Sequence, residues 1–130
     1  MKDQEILTID INGVELASRV VCCTSSKSRR AGLLGKKRLS REEGVLLVMP
    51  EGRRGGAGLT TSIHMMGMRF SVAAAWLDDC GSVVHSVLAR PWRPYYASPQ
   101  PASLVLELHP EHLASLQPGV KVNWARGKSG

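Results

Sequence analysis

Polar and apolar residues alternate from Glu5 to Asp10, with Ile6, Thr8 and Asp10 on one side of the pattern and Leu7 and Ile9 on the other. After Asn12-Gly13 the alternation resumes through Val14, Leu16, Ser18 and Val20. A period of two marks strands, and Asn-Gly between two such runs is a strong hairpin signal, because both central residues of a type I′ turn need positive φ. The pattern predicts strands over about 4–11 and 14–23. Thr24, Ser25 and Ser26 then offer N-cap oxygens before KSRRAGLLG. A short helix over about 26–34 is expected, closed by Gly35 and anchored by Leu33 and Leu34.

Ser40 and Glu43 have capping-box spacing, although Gly44 leaves room for one helical turn only. Val45 to Met49 is a continuous apolar run ended by Pro50, which suits a strand buried on both faces and central in its sheet. Glu51 to Thr61 is glycine-rich without periodicity, so a loop is expected there, with 52–58 among the least ordered residues. Val72 to Leu77 and Ser82 to Ala89 read as a second hairpin around Asp78-Asp79-Cys80-Gly81. Pro91 to Pro101 carries Trp92, Tyr95 and Tyr96 between prolines and cannot join a central ladder. Leu104 to Leu108 reads as a strand, Glu111 to Leu116 as a short helix, and Val120 to Trp124 as the last strand. The expected fold class is α+β: β-rich, a mostly antiparallel sheet or small barrel-like core with two or three short helices. One domain over 1–126 and a C-terminal tail over 127–130 complete the expected organisation.

Composition narrows the function classes. The chain has 130 residues, with 43% hydrophobic and 22% charged, which fits one globular domain and not a disordered segment. No apolar run approaches the roughly 18 residues that would suggest a membrane-spanning helix. MKDQEILTID lacks the basic-then-apolar order of a secretory leader. Three cysteines, two of them adjacent, do not make the framework of a disulfide-rich secreted domain, so a cytoplasmic setting with free thiols is expected. A formal charge of +6 permits anionic partners.

Three stretches carry a family resemblance. They are SRRAGLLGKKRLSREEGVLLVMP, SIHMMGMRFSVAAAWLDDCGSVV, and LVLEL followed by PGVKV. Together, over roughly residues 14–124, they resemble the uncharacterised bacterial and archaeal family called domain of unknown function 192. The most specific pieces are Ser62-Ile63-His64 through Gly67-Met68-Arg69-Phe70, and Arg30-Ala31-Gly32-Leu33-Leu34-Gly35. Two departures stand out. After Arg69-Phe70 the family has a proline, an aliphatic residue and an aspartate, whereas this chain has Ser71-Val72-Ala73. After LVLEL, His109-Pro110-Glu111 replaces a small-residue, glycine-containing turn. The resemblance implies a compact β-rich domain and brings no biochemical activity with it.

Candidate chemistry is sparse. Cys22, Cys23, Cys80 and the four histidines lack zinc-ligand spacing, since adjacent strand residues point to opposite faces and no Cys-x-x-Cys is present. Neither a metal nor a cofactor is expected. Cys80 beside Asp78 and Asp79 is a poor nucleophile, because nearby carboxylates raise a thiol's pKa. The Gly-Lys-Ser at 127–129 has no strand-to-helix context for a phosphate loop. Nine of the 17 cations fall within residues 27–54, among them Arg29, Arg30, Lys36, Lys37 and Arg38, which are the candidate anion-binding set. A solvated helix face accounts for that cluster more simply, as stacking aromatics are absent from it.

The expected ligand-binding surface is shared by His64, Met66, Arg69 and the connection carrying Trp92 and Tyr95. Plainer readings compete with it: Met65, Met68 and Trp92 capping the sheet, His64 as a structural histidine, and Arg69 paired with Asp78 or Glu107. The first functional expectation is a non-catalytic binding or accessory module, monomeric, with an unidentified small molecule or protein as partner. A hydrolase-like enzyme using His64 with a cysteine or an acid is the second. A nucleic-acid or anionic-surface binder using the basic cluster is the third. A pocket lined by His64, Arg69 and an acid would favour chemistry, whereas a flat basic face beside Trp92 would favour the third.

Overall fold

The computed structural model describes residues 1–127. Seven strands form one sheet in the order β5-β4-β6-β3-β2-β1-β7. They are β1 (Ile6–Ile11), β2 (Val14–Cys23), β3 (Glu43–Val48), β4 (Val72–Leu77), β5 (Val83–Ala89), β6 (Leu104–Leu108) and β7 (Asn123–Arg126). One α-helix, α1 (Ser26–Ala31), lies between β2 and β3. Both expected hairpins belong to this sheet, and the Val45 run lies in β3, the middle strand. Pairings are antiparallel except β2 with β3. A parallel pair needs a crossover of a dozen or more residues, and the segment containing α1 supplies it.

Local chemistry explains the boundaries. Asn12 and Gly13 have φ of 52° and 81°, the two positive values a tight hairpin turn requires, and Ile11 pairs with Val14 across it. Helix α1 is stapled by a reciprocal Ser25–Ser28 capping box, and Asp3 Oδ1 accepts from the Ser28 hydroxyl at 2.6 Å. It ends at Ala31 and not at 34, because the N–H of Gly32, at φ 43°, closes on Ser28 O at 2.9 Å. Arg19 N donates to Glu42 O, so the parallel ladder draws Glu43 into β3 in place of the helical turn expected after Ser40. The capping-box half that survives is Ser40 N donating to Glu43 Oε1 at 2.9 Å.

The last helix is a 3-10 helix, Pro110–Ser115, whose first turn is capped by the His109 ring accepting from Glu111 N. The final strand starts later than the pattern suggests. Val120 and Val122 first bond the head of β5, through Val83 N to Val120 O and Val122 N to Gly81 O, and only from Asn123 does the chain pair with β1. The sheet's two outer strands are thereby tied at one end. Gly127 N donates to Ile6 O, so the part of the expected tail that begins there is anchored, and 128–130 lie outside the described residues.

Both faces of the sheet are covered. The first face carries Leu7, Ile9, Val20, Leu46, Leu106 and Leu108 under Leu116 and Val122. The second carries Val45, Leu47, Val105, Ala74 and Trp76 under Leu33, Ile63, Met65 and Met68. Loops, not long helices, make the second cover. Trp76 Nε1 donates to Thr61 O at 2.7 Å and fastens one of them to the sheet. The glycine-rich segment is also fastened, against expectation. It contains two 3-10 turns, Glu51–Arg53 and Gly58–Thr61, and Gly55 and Gly56 pair with Ala102 while Gly58 N donates to Ser98 O. Among the described residues no helix is long and apolar enough to cross a membrane.

Two outcomes follow from this packing. Amide exchange is expected to show protection at Gly55, Gly56 and Gly58 well above that of Gly52, because the former donate to the 98–102 segment or across their own turn. A Cβ at Gly44 would run into the Glu107 carbonyl oxygen and lie 2.6 Å from Leu108 Cδ2. Gly44→Ala is therefore expected to cost about 1–3 kcal/mol in chemical denaturation, as overpacking does elsewhere.

Candidate ligand-binding site

The centre of the sheet holds one residue that breaks its apolar pattern. Glu107 sits in β6, a strand buried along its whole length, and is itself 7% exposed. Its cross-strand neighbours are Val45 and Ala74, which offer no polar side chain. Among the described residues the carboxyl forms no hydrogen bond or ion pair. Burial alone pushes it from 4.5 up to about 7, since the charged form is costly away from water.

Glu107 borders a cavity of about 380 Å³. Leu47, Met49 and Glu107 form its floor on the sheet, while the end of α1 and the segment 62–68 form its walls. Three arginines from the basic cluster, Arg29, Arg30 and Arg53, line it too. Arg29 Nη1 is committed to the carbonyls of Thr24 and Val48, tying β2 and β3 together. Arg30 makes only long bonds to Ser26, at 3.3 and 3.4 Å. Arg53 is exposed and forms no side-chain hydrogen bond among the described residues. His64 Nδ1 accepts from Met66 N at 3.3 Å, which leaves Nε2 free for a ligand.

The expected surface is assembled in part. His64 and Met66 line the cavity, whereas Arg69, Trp92 and Tyr95 do not. The two segments are nonetheless joined through the backbone. Met65 N donates to Arg93 O, Trp92 N to Met65 O at 2.7 Å, and Ile63 exchanges two bonds with Tyr96. The segment 63–65 is thus a shared wall, with the cavity on one side and the aromatic connection bonded along it. Trp92 is 64% exposed at φ 67°, a left-handed backbone that costs a non-glycine residue about 1–3 kcal/mol and that often marks recognition sites. Arg69 is exposed and pairs with neither Asp78 nor Glu107; Asp78 instead accepts from the backbone of Cys80 and Ser82. Met65 and Met68 are buried in the second-face core, as the plainer reading has it.

The remaining candidates have other employment. Lys36 pairs with Glu43 at 2.8 Å and Arg41 with Glu111 at 2.8 Å, while Lys37 and Arg38 are exposed away from the cavity. Cys22 and Cys23 are buried on opposite faces, and burial pushes the Cys23 thiol up to about 11, which suppresses the reactive thiolate. Cys80 is exposed in the turn before β5. His85 lies 5.5 Å from the Trp76 ring, and His112 Nε2 is 2.7 Å from Arg41 O. Among the described residues no group of three or more His, Cys, Asp or Glu side chains is placed to hold a metal ion. Ala73, where the resemblance has an aspartate, faces the first core, away from the cavity.

Sequence reasoning missed Glu107 as a site residue. The available signal was one carboxylate at the middle of LVLEL, a five-residue strand otherwise apolar on both faces.

Comparison with known proteins locates this geometry. A sequence model of the family DUF192, described as an uncharacterized ACR, matches residues 7–124. No curated protein matches the chain. A crystal structure of a protein of unknown function from Novosphingobium aromaticivorans DSM 12444 is similar with a TM-score of 0.74 and 20% identity, covering 91% of this chain and 83% of that one. A second, from Sinorhizobium meliloti 1021 and described as a candidate transcription regulator, is similar with a TM-score of 0.73 and 16% identity, covering 95% and 97%. At these identities the likeness is one of fold.

Glu107 should leave a signature in the pH dependence of stability. Its folded pKa is raised, so its contribution is fully present below 4.5 and is lost as pH rises to about 7, where the folded carboxyl also ionises. The loss is on the order of 3 kcal/mol at about 1.4 kcal/mol per unit. Asp3 and Glu43, held low by hydrogen bonds from Ser28 and Lys36, act at more acidic pH. Urea denaturation at stepped pH is expected to show wild-type stability falling relative to Glu107→Gln across that window. Parallel curves for the two proteins would contradict the assignment.

Proposed function

The chain belongs to the DUF192 family of uncharacterized ACR proteins, and from that footing we propose that it is a binding module whose site is the cavity floored by Glu107. The observation that carries this reading is a carboxyl buried at the centre of the sheet, without a partner among the described residues, bordering a space large enough for a small molecule. A fold that tolerates such a group usually has a use for it. The recognition surface extends over the wall formed by 63–65 to Arg69, Trp92 and Tyr95, and the module works as a cytoplasmic monomer.

His64 and Glu107 border the same cavity, which is what supports the second reading, a hydrolase-like enzyme. Binding is favoured because His64 takes its hydrogen bond from the Met66 backbone, and among the described residues no hydroxyl, thiol or carboxylate is bonded to it. The two serines that line the cavity are engaged elsewhere: Ser62 donates to Leu59 O, and Ser26 accepts from Arg30. Nucleic-acid binding through 27–54 is disfavoured because Glu43 and Glu111 neutralise Lys36 and Arg41, and Arg29 is held by carbonyls. The regulator description of the Sinorhizobium protein belongs to that protein and, at 16% identity, names no partner for this one.

Fragment screening by NMR is expected to find ligands that shift the amides of Gly32, Leu47, His64 and Met66 together. His64→Ala and Arg53→Ala should each weaken such ligands by roughly tenfold while leaving the melting temperature nearly unchanged, as both side chains line the cavity and are exposed. A large fall in melting temperature with binding intact would assign these residues to the scaffold. Turnover of a fragment, abolished by His64→Ala, would replace this reading with the catalytic one.

A further inference from the structure

Resting on the binding reading, the polarity of the cavity goes further and specifies what kind of ligand fits. Its floor and its rim carry opposite charge preferences. At the floor is the Glu107 carboxyl, nine-tenths buried and unpartnered among the described residues, a pure acceptor whenever it is ionised. The wall between floor and rim is apolar, made by Leu33, Ile63, Met65 and Met68. Around the opening stand Arg30 and Arg53, both exposed, with the free Nε2 of His64. Arg29, the third arginine, is already spent on two backbone carbonyls.

We propose that this site binds a bipolar ligand: a primary ammonium buried against Glu107, an apolar middle, and an anionic group held at the rim by Arg53 and Arg30. Each part satisfies a group that the protein leaves unsatisfied. An ammonium supplies three donors and the counter-charge that the buried carboxylate lacks. A carboxylate or phosphate at the rim takes the guanidinium forks. The volume of about 380 Å³ suits an ω-amino acid or an apolar dipeptide entering amino end first.

The reverse orientation is excluded by charge. A carboxylate at the floor would face Glu107, and a cation at the rim would face the arginines. The other titratable groups that line the cavity are Arg29 and Arg30 of α1, Arg53 and His64, and the un-ionised thiol of Cys23 on β2 lies near enough to Glu107 to feel its charge. None of them is bonded to Glu107 among the described residues. The carboxyl is half ionised near pH 7, so ammonium binding should follow its titration.

The test uses three probes of equal carbon number: hexanoate, n-hexylamine and 6-aminohexanoate, titrated into the full chain and followed by amide shifts around the cavity. At pH 8, 6-aminohexanoate is expected to bind at least tenfold more tightly than hexanoate, and Glu107→Gln to erase that difference. Arg30→Ala and Arg53→Ala together should bring 6-aminohexanoate down to the affinity of n-hexylamine. Without any variant, n-hexylamine binding should tighten about tenfold from pH 6 to pH 8, because an aliphatic ammonium stays charged across this range while Glu107 ionises. Hexanoate binding as tightly as 6-aminohexanoate, or n-hexylamine binding independent of pH, would overturn the inference. If all three fail while neutral fragments occupy the cavity, the bipolar ligand is wrong and the binding reading stands. If nothing occupies the cavity, both fall.

Discussion

Burial of the central strands on both faces is the constraint from which the rest of this structure follows. Every side chain of β4 and β6, and all but the first of β3, is buried, so apolar groups project in both directions and each direction needs a cover. The first face is closed economically, by Leu116 and Val122 from the C-terminal segment. The second has only a six-residue helix available, and loops do the remainder of the work. Loops cannot be buried unless their backbone groups find partners. That requirement accounts for the bonds from Gly55, Gly56 and Gly58 to the 98–102 segment, and for the two-way pairing of Ile63 with Tyr96.

A cover made of loops is less regular than one made of helices, and the cavity is the consequence. It opens where the end of α1 meets the segment 62–68, above the middle of the sheet. Site and scaffold are thereby separated: β3 and β6 fix the floor, while the identity of the rim is set by segments whose length and sequence the sheet does not dictate. Arg29 belongs to both parts, since it lines the cavity and also binds the carbonyls that hold α1 to the end of β3.

Glu107 is where local and global preferences disagree. Its strand is otherwise apolar, its cross-strand neighbours are Val45 and Ala74, and its carboxyl is raised to about 7 by burial alone. Such a residue lowers stability over much of the neutral range, and an isosteric apolar residue would not. The departure from the family pattern at Ala73 lies on the other face, opposite Leu88 and Leu108, and so alters the first core without touching the cavity. The charge-bearing floor and the position where the resemblance has an acid are therefore on opposite faces of the sheet.

Most strands could be read along the chain, since a period of two and an Asn-Gly turn are local properties: both hairpins, the central place of the Val45 run and the opposed faces of Cys22 and Cys23 were all legible. The sequence also marked the segment around His64 and the aromatic connection, whose adjacency the structure realises through Met65 and Trp92. Helix ends, the start of β7 and the anchoring of the glycine loop were not legible, because each depends on a hydrogen-bond partner at least several residues away: Gly32 with Ser28, Val120 with Val83, Gly56 with Ala102. The cavity was decided by tertiary structure alone. Arg53, His64 and Glu107 are separated by up to 54 positions in the chain, by subtraction of their numbers, and only the covering of one sheet face brings them around a single space. A carboxylate's environment is set by what packs over it, and one-dimensional pattern carries no record of that.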